Sequence, residues 1–260
     1  MSRATSLLAT APADCLVYET DNVRGALMAA ADAVRLHPYA ICVQEQRERI
    51  KNMLTRFLIR YPELLRNKQF AYRHRRAGGI THKLIIYHPP TEKTRSIVIL
   101  MASAPDEHER WQDIRERKSR LKAYDYELVR VTKEGQKNPS WTWRIVGTKY
   151  DATADAIKIA IKFGNEAALK AIIEGTRKWA GFHEVRNQHY KLGLMMRKEW
   201  EKSGSKADPP AWPRLPYVTR RNAARTPEKR ASVKEKDAAR RAAKKATING
   251  EDAAKEGVEK

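Results

Sequence analysis

The apolar period of this chain changes twice, and no other feature of the sequence constrains the fold as much. From Val23 to Ile59 the apolar residues recur at helical spacing. From Lys83 to Val146 they come as short runs or alternate, and from Thr153 to Lys202 the helical period returns. Helices face one another along a stripe, whereas strands bury alternate residues, so the switch separates helical segments from a sheet. An α+β fold follows. It comprises an N-terminal helical pair, a small, mostly antiparallel sheet of about four strands with a covering helix, C-terminal helices and a disordered basic tail. The composition breaks divide the chain into 1–66, 67–150, 151–204 and 205–260.

Proline sets the first boundaries. Val23 to Leu36 is alanine-rich, and His37-Pro38 ends it because the residue before proline is driven out of the helical region. A second helix is expected over Tyr39 to Ile59, closed by Tyr61-Pro62. Lys83 to His88 and Ser96 to Met101 are β-rich runs joined by a proline-containing connection, which predicts neighbouring antiparallel strands. Pro105-Asp106-Glu107 resembles a helix start with acids in the first turn, and Trp111, Ile114 and Leu121 supply its buried side. Tyr126 to Val131 and Trp141 to Val146 alternate around a turn at Glu134 to Asn138. Asn165 is placed as an N-cap, Gly181 as a helix break and Gly204 as the end of the structured part. Beyond Ser205 large apolar side chains almost vanish, and such a segment cannot bury enough surface to fold alone.

Charge narrows the partners. With 52 Lys and Arg against 31 Asp and Glu, the formal charge is +21. A surface this positive draws in polyanions, of which nucleic acid is the commonest in a cell. The only cysteines, Cys15 and Cys42, sit among apolar neighbours without metal-ligand spacing, so they read as small buried hydrophobes in a reducing compartment. The run at Leu7-Leu8-Ala9 is too short for a signal peptide, and no stretch approaches the roughly 18 apolar residues of a membrane span. A cytoplasmic protein without metal or cofactor is the expectation.

Three constellations carry the nucleic-acid reading. Arg73-His74-Arg75-Arg76 before Gly78-Gly79 reads as a basic loop, since arginine forks match phosphate oxygens and glycines permit close backbone approach. Lys83, Arg130 and Arg144 extend that surface along the strands. Tyr124 and Tyr126, then Trp141 and Trp143, each share a strand face, which suits stacking on unpaired bases; the same pattern equally describes core. Arg220-Arg221 and Arg240-Arg241 belong to a tail of the kind that tracks phosphates, and residues 228–245 are expected to gain helix on a polyanion.

Catalytic motifs are missing from the sequence: there is no Walker loop, no His-Glu-x-x-His and no nucleophile elbow. His82 and His88 lie six apart on a strand, roughly 20 Å at ~3.3 Å per residue, too far to share a metal. The leading expectation is non-catalytic binding of DNA or RNA. One alternative is a metal-independent nuclease, an RNA endonuclease or a replication or transfer nickase, with His74 or His82 beside Arg75, Arg76 and Lys83. Another is a structural subunit of a ribonucleoprotein complex.

Overall fold

Thr20 and Asn22 show how locally the chain is punctuated. Asn22 Oδ1 accepts from the Arg24 backbone at 2.9 Å and starts helix α1 (Val23–Ala33), directly after strand β1 (Val17–Thr20). The computed structural model describes residues 12, 14–90, 94–132, 135, 137–205 and 207–218. After α1 come β2 (Tyr39–Gln46), α2 (Arg47–Arg60), a 3-10 turn (Pro62–Leu65) and α3 (Lys68–Arg76). Strands β3 (His82–Tyr87), β4 (Arg95–Ala102), β5 (Gln112–Asp113), β6 (Lys122–Ala123), β7 (Tyr126–Val131) and β8 (Ser140–Ile145) follow. The chain then turns helical in α4 (Gly147–Lys162), α5 (Glu166–Arg177) and α6 (His183–Lys202). This is an α+β protein, and no helix among the described residues is long and apolar enough to cross a membrane.

The strands form a mixed five-stranded sheet, ordered β1-β3-β4-β2-β5, and a three-stranded antiparallel sheet, β6-β7-β8. Only β1 and β3 pair in parallel within the larger sheet. Both of its faces are covered, which explains why β3 and β4 read as continuous apolar runs rather than alternating ones. Leu84, Ile86, Val98 and Leu100 face α2 and the 3-10 turn, where Ile50, Leu54, Phe57 and Leu64 meet them. Ile85, Ile97, Ile99 and Met101 face the opposite way, into a cluster with Leu27, Trp143, Ile157, Leu192 and Met196. The smaller sheet and the C-terminal helices therefore share the core that lies under α1.

Several expectations need correction. Tyr39 to Gln46 is a strand, not the first half of a helix. All eight residues pair with β4, from Tyr39 opposite Ala102 to Gln46 opposite Arg95. Its β-branched Ile41 and Val43 suit that pleated surface. The expected helix from Pro105 to Leu121 is absent. Asp106 Oδ1 accepts from the His108 backbone and Asp113 Oδ1 from that of Arg115, and such i to i+2 bonds divert the chain from helix. The N-terminal region contributes β1 and β2 to the large sheet and is not purely helical.

The ordered chain also passes Gly204. Residues 207–218 run as an extended strap over α6: Trp200 Nε1 donates to Ala207 O, Leu215 is buried, and Val218 N donates to Gly181 O. Trp212 Nε1 bonds both His189 Nδ1, at 3.1 Å, and His189 O, at 3.0 Å. Trp212 and Leu215 are the large apolar anchors in this proline-rich stretch, and burial of their side chains holds it down without regular structure.

Candidate nucleic-acid interface

Helix α3 stands where the sequence suggested a basic loop. Asn67 Oδ1 accepts from Phe70 N at 2.9 Å and caps its start. Its end is a glycine stop: Gly78 adopts φ 83°, Gly78 N reaches Arg75 O and Gly79 N reaches His74 O. A Cβ on Gly79 would lie 2.3 Å from His74 Nε2. The two glycines therefore end the helix against His74 rather than admit a ligand to the backbone.

Ala71 is the only buried residue of α3 and enters the cluster with Leu84 and Phe57. His74 and Arg75 are half-buried, and the other residues of the helix project. Lys68, Gln69, Tyr72, Arg73, Arg76 and Ala77 line a shallow groove along the exposed side. Tyr72 is 55% exposed and Phe70 40%, unusual for aromatic rings on a short helix. Arg76 Cζ lies 5.9 Å from the Tyr72 ring centroid, and Arg66 Cζ lies 5.9 Å from that of Phe70. Phe70 stacks on His74 with centroids 5.6 Å apart and planes at 12°.

The electrostatics of this helix differ from those of α2. There, Arg56 and Arg60 both reach Glu109, and Arg49 reaches Glu45. Among the described residues, Arg66, Lys68, Arg73, Arg75 and Arg76 have no carboxylate within ion-pair distance. Nor is there an Asp or Glu anywhere between Glu63 and Glu92. Uncompensated cations on an exposed face, interleaved with rings, offer charge to phosphates and π-surface to bases.

The other expected contacts scatter. Trp143 is fully buried, with its Nε1 donating to Leu27 O at 2.7 Å, so it is core and offers no stacking face. Trp141 is half-buried and packs on the same cluster, opposite Arg130 in the register. Arg130 is exposed, whereas Arg144 is engaged with Glu127, its cross-strand neighbour. Lys83 turns beneath α1 and donates to Ala29 O at 3.3 Å, so it does not extend a strand surface with Arg130 and Arg144. Arg220, Arg221, Arg240, Arg241 and the segment 228–245 lie outside the described residues.

His82 joins a cluster that spacing did not reveal. Its neighbour Lys83 points to the other face of the strand, so the expected pairing of the two does not form. His82 Nδ1 faces Glu63 Oε1 at 2.5 Å, and Nε2 faces Asp106 Oδ2 at 3.2 Å. Tyr61 and Trp111 flank the ring, with centroids 4.0 and 5.6 Å away. Asp106 Oδ1 also accepts from Trp111 Nε1 and Tyr61 Oη. Burial pushes the Asp106 carboxyl up, but the donors Trp111 and His108, with the charge of His82, hold it below the usual carboxylate range. Burial and the charges of Asp106 and Glu109 push the Tyr61 phenol up. With both nitrogens engaged and 3% exposure, His82 fastens the 105–111 loop to the 3-10 turn and presents no open base to a substrate. His74 is held by Phe70 and by the close approach of Gly79.

Among the described residues no group of His, Cys, Asp and Glu is arranged to hold a metal ion. Comparison of the chain with protein-family models, with curated proteins and with solved structures gives no match.

Proposed function

We propose that the protein binds nucleic acid without cleaving it, gripping one strand along the exposed side of α3. The observation that carries this reading is Phe70 and Tyr72 standing exposed among five cations that lack carboxylate partners among the described residues. Lys68, Arg73 and Arg76 contact phosphates along the groove where Tyr72 stacks on a base, and Phe70, with Arg66 over its ring, offers a second stacking surface further round the helix. Exposed rings favour an unpaired strand, since duplex bases already stack on each other. The chain's net charge of +21 adds long-range attraction, with the arginine pairs of the tail extending the phosphate contacts.

The test is a titration of the full chain against labelled single- and double-stranded DNA and RNA at several salt concentrations, with each product run on a denaturing gel. The reading expects intact strands, a preference for single strands, and affinity that falls linearly on a log–log plot with salt. Cut strands would replace it with the nuclease alternative. No binding to any of these acids would remove it altogether.

A further inference from the structure

Helix α3 has a second, inward side. Between it, the end of α1 and the start of β1 lies a recess of about 360 Å³. That volume is within the roughly 300–1,000 Å³ range of small-molecule sites. Lys68 and Arg75 of α3 line it, as do Lys83 of β3, Asp14, Asp32 of α1 and His37 in the turn after α1. We propose that this recess takes the phosphate of a nucleotide, with Lys83 at its base and Arg75 and Lys68 at its mouth.

Lys83 makes the case. An ammonium has three protons to donate, and among the described residues Lys83 Nζ has one acceptor, Ala29 O at 3.3 Å. No carboxylate lies within ion-pair distance of it among the described residues. Burial holds this ammonium below the ordinary lysine value; Asp32 opposes that shift and the charge of Lys68 adds to it. A half-buried cation with donors to spare gains from an anion, and phosphate supplies several acceptor oxygens at once. Arg75 brings a planar fork to the same space, again without a carboxylate partner among the described residues.

The two carboxylates decide which phosphate. Asp14 and Asp32 only accept hydrogen bonds when ionised, so they repel a bare phosphate and welcome hydroxyl or amino groups. A nucleotide carries both chemistries: phosphate oxygens for Lys83 and Arg75, ribose hydroxyls or base amino groups for the acids. The recess also suits an end. A mid-strand phosphodiester must continue in both directions, whereas a terminal phosphate needs an exit on one side only and carries extra charge. The source is a free nucleotide or the phosphorylated end of a strand lying on α3; the second source rests on the interface reading above.

The experiment uses the full chain and oligonucleotides of one sequence ending in 5′-phosphate, 3′-phosphate or hydroxyl only, with adenosine 5′-monophosphate as a competitor and as a direct ligand. The expected result is about tenfold tighter binding of one phosphorylated end, corresponding to one charge-assisted contact. Lys83→Met removes that preference and Lys83→Arg keeps it, while affinity for the hydroxyl-ended strand stays unchanged in both. If Lys83→Met melts below the assay temperature, Lys83→Gln, which keeps a donor for the Ala29 carbonyl while removing the charge, serves as the variant. Equal affinity for all ends, with no binding of the mononucleotide, overturns the proposal and leaves the α3 interface standing. Mononucleotide binding that needs Lys83, without any strand binding, supports the recess and overturns the interface.

Discussion

Trp143 and Tyr72 are both aromatic residues in a basic protein, and their surroundings give them opposite work. Trp143 is enclosed and its Nε1 donates to Leu27 O, tying β8 to α1. Trp143→Ala should cost about 3–5 kcal/mol of stability in urea unfolding, from lost burial and the cavity left behind. Trp143→Phe should cost less, about 2 kcal/mol, from the lost hydrogen bond together with the smaller ring. Neither should change the salt dependence of nucleic-acid binding. Tyr72→Ala and Phe70→Ala should do the reverse. Both rings are exposed, so stability should hold while affinity for single strands drops by about 1–3 kcal/mol for each base unstacked. The sequence points to Trp141 and Trp143 and passes over Phe70 and Tyr72, and the cause is physical. Alternation tells which residues of a strand share a face, but what covers that face is a tertiary fact. The missing signal was electrostatic: no acid occurs between Glu63 and Glu92, so the cations of α3 have no nearby partner in sequence.

At the scale of elements, segments with strong local codes were legible and those decided by long-range pairing were not. The β3–β4 hairpin and the β7–β8 pair were readable because apolar runs flank turn residues, and the cap at Asn165 because capping is local, whereas the equally local caps at Asn22 and Asn67 were passed over. The helix expected from Pro105 failed because Asp106 serves Tyr61, Trp111 and His82, all distant or outside its own turn. The strap over 207–218 was read as tail because polar and proline residues outnumber its two anchors. It offers a sharp test at Gly193, where an added Cβ would lie 2.5 Å from the Trp212 ring. Alanine is a better helix former than glycine by about 1 kcal/mol, so a neutral site would gain stability. Gly193→Ala should instead lift the strap, seen as faster amide exchange at Val218, whose N–H donates to Gly181 O. Slower exchange with raised stability would show that Trp212 yields without cost.

For the whole molecule, two buried histidines predict the response to acid. Desolvation lowers His37 to about 4, with Arg75 and Lys83 adding to it against the Ala33 carbonyl, and desolvation lowers His189 to about 4 as well. The surrounding bonds suit neutral rings. Thr176 Oγ1 donates to Ile173 O and so receives from His189 Nε2, leaving Nδ1 to accept from Trp212. Since the unfolded chain binds these protons near pH 6.5, stability is complete above that pH and falls as pH drops towards 4. The loss is roughly 3 kcal/mol for each histidine, against a typical total of about 5–15 kcal/mol. Acid unfolding monitored by tryptophan fluorescence should show it, with His189→Gln shifting the transition to lower pH.

The central claim, that α3 and not the general charge of the molecule makes the interface, is tested most directly by comparing two charge-matched variants. Arg73→Gln/Arg76→Gln removes cations from α3, and Lys158→Gln/Lys170→Gln removes as many from α4 and α5, where each lysine already faces an acid. Binding to a single strand is measured between about 50 and 200 mM salt. The account predicts that the α3 pair lowers affinity and flattens the salt slope by about one unit per arginine, with the other pair close to wild type. Equal losses from both pairs would contradict it, because they would show attraction spread over the whole surface and no interface on α3.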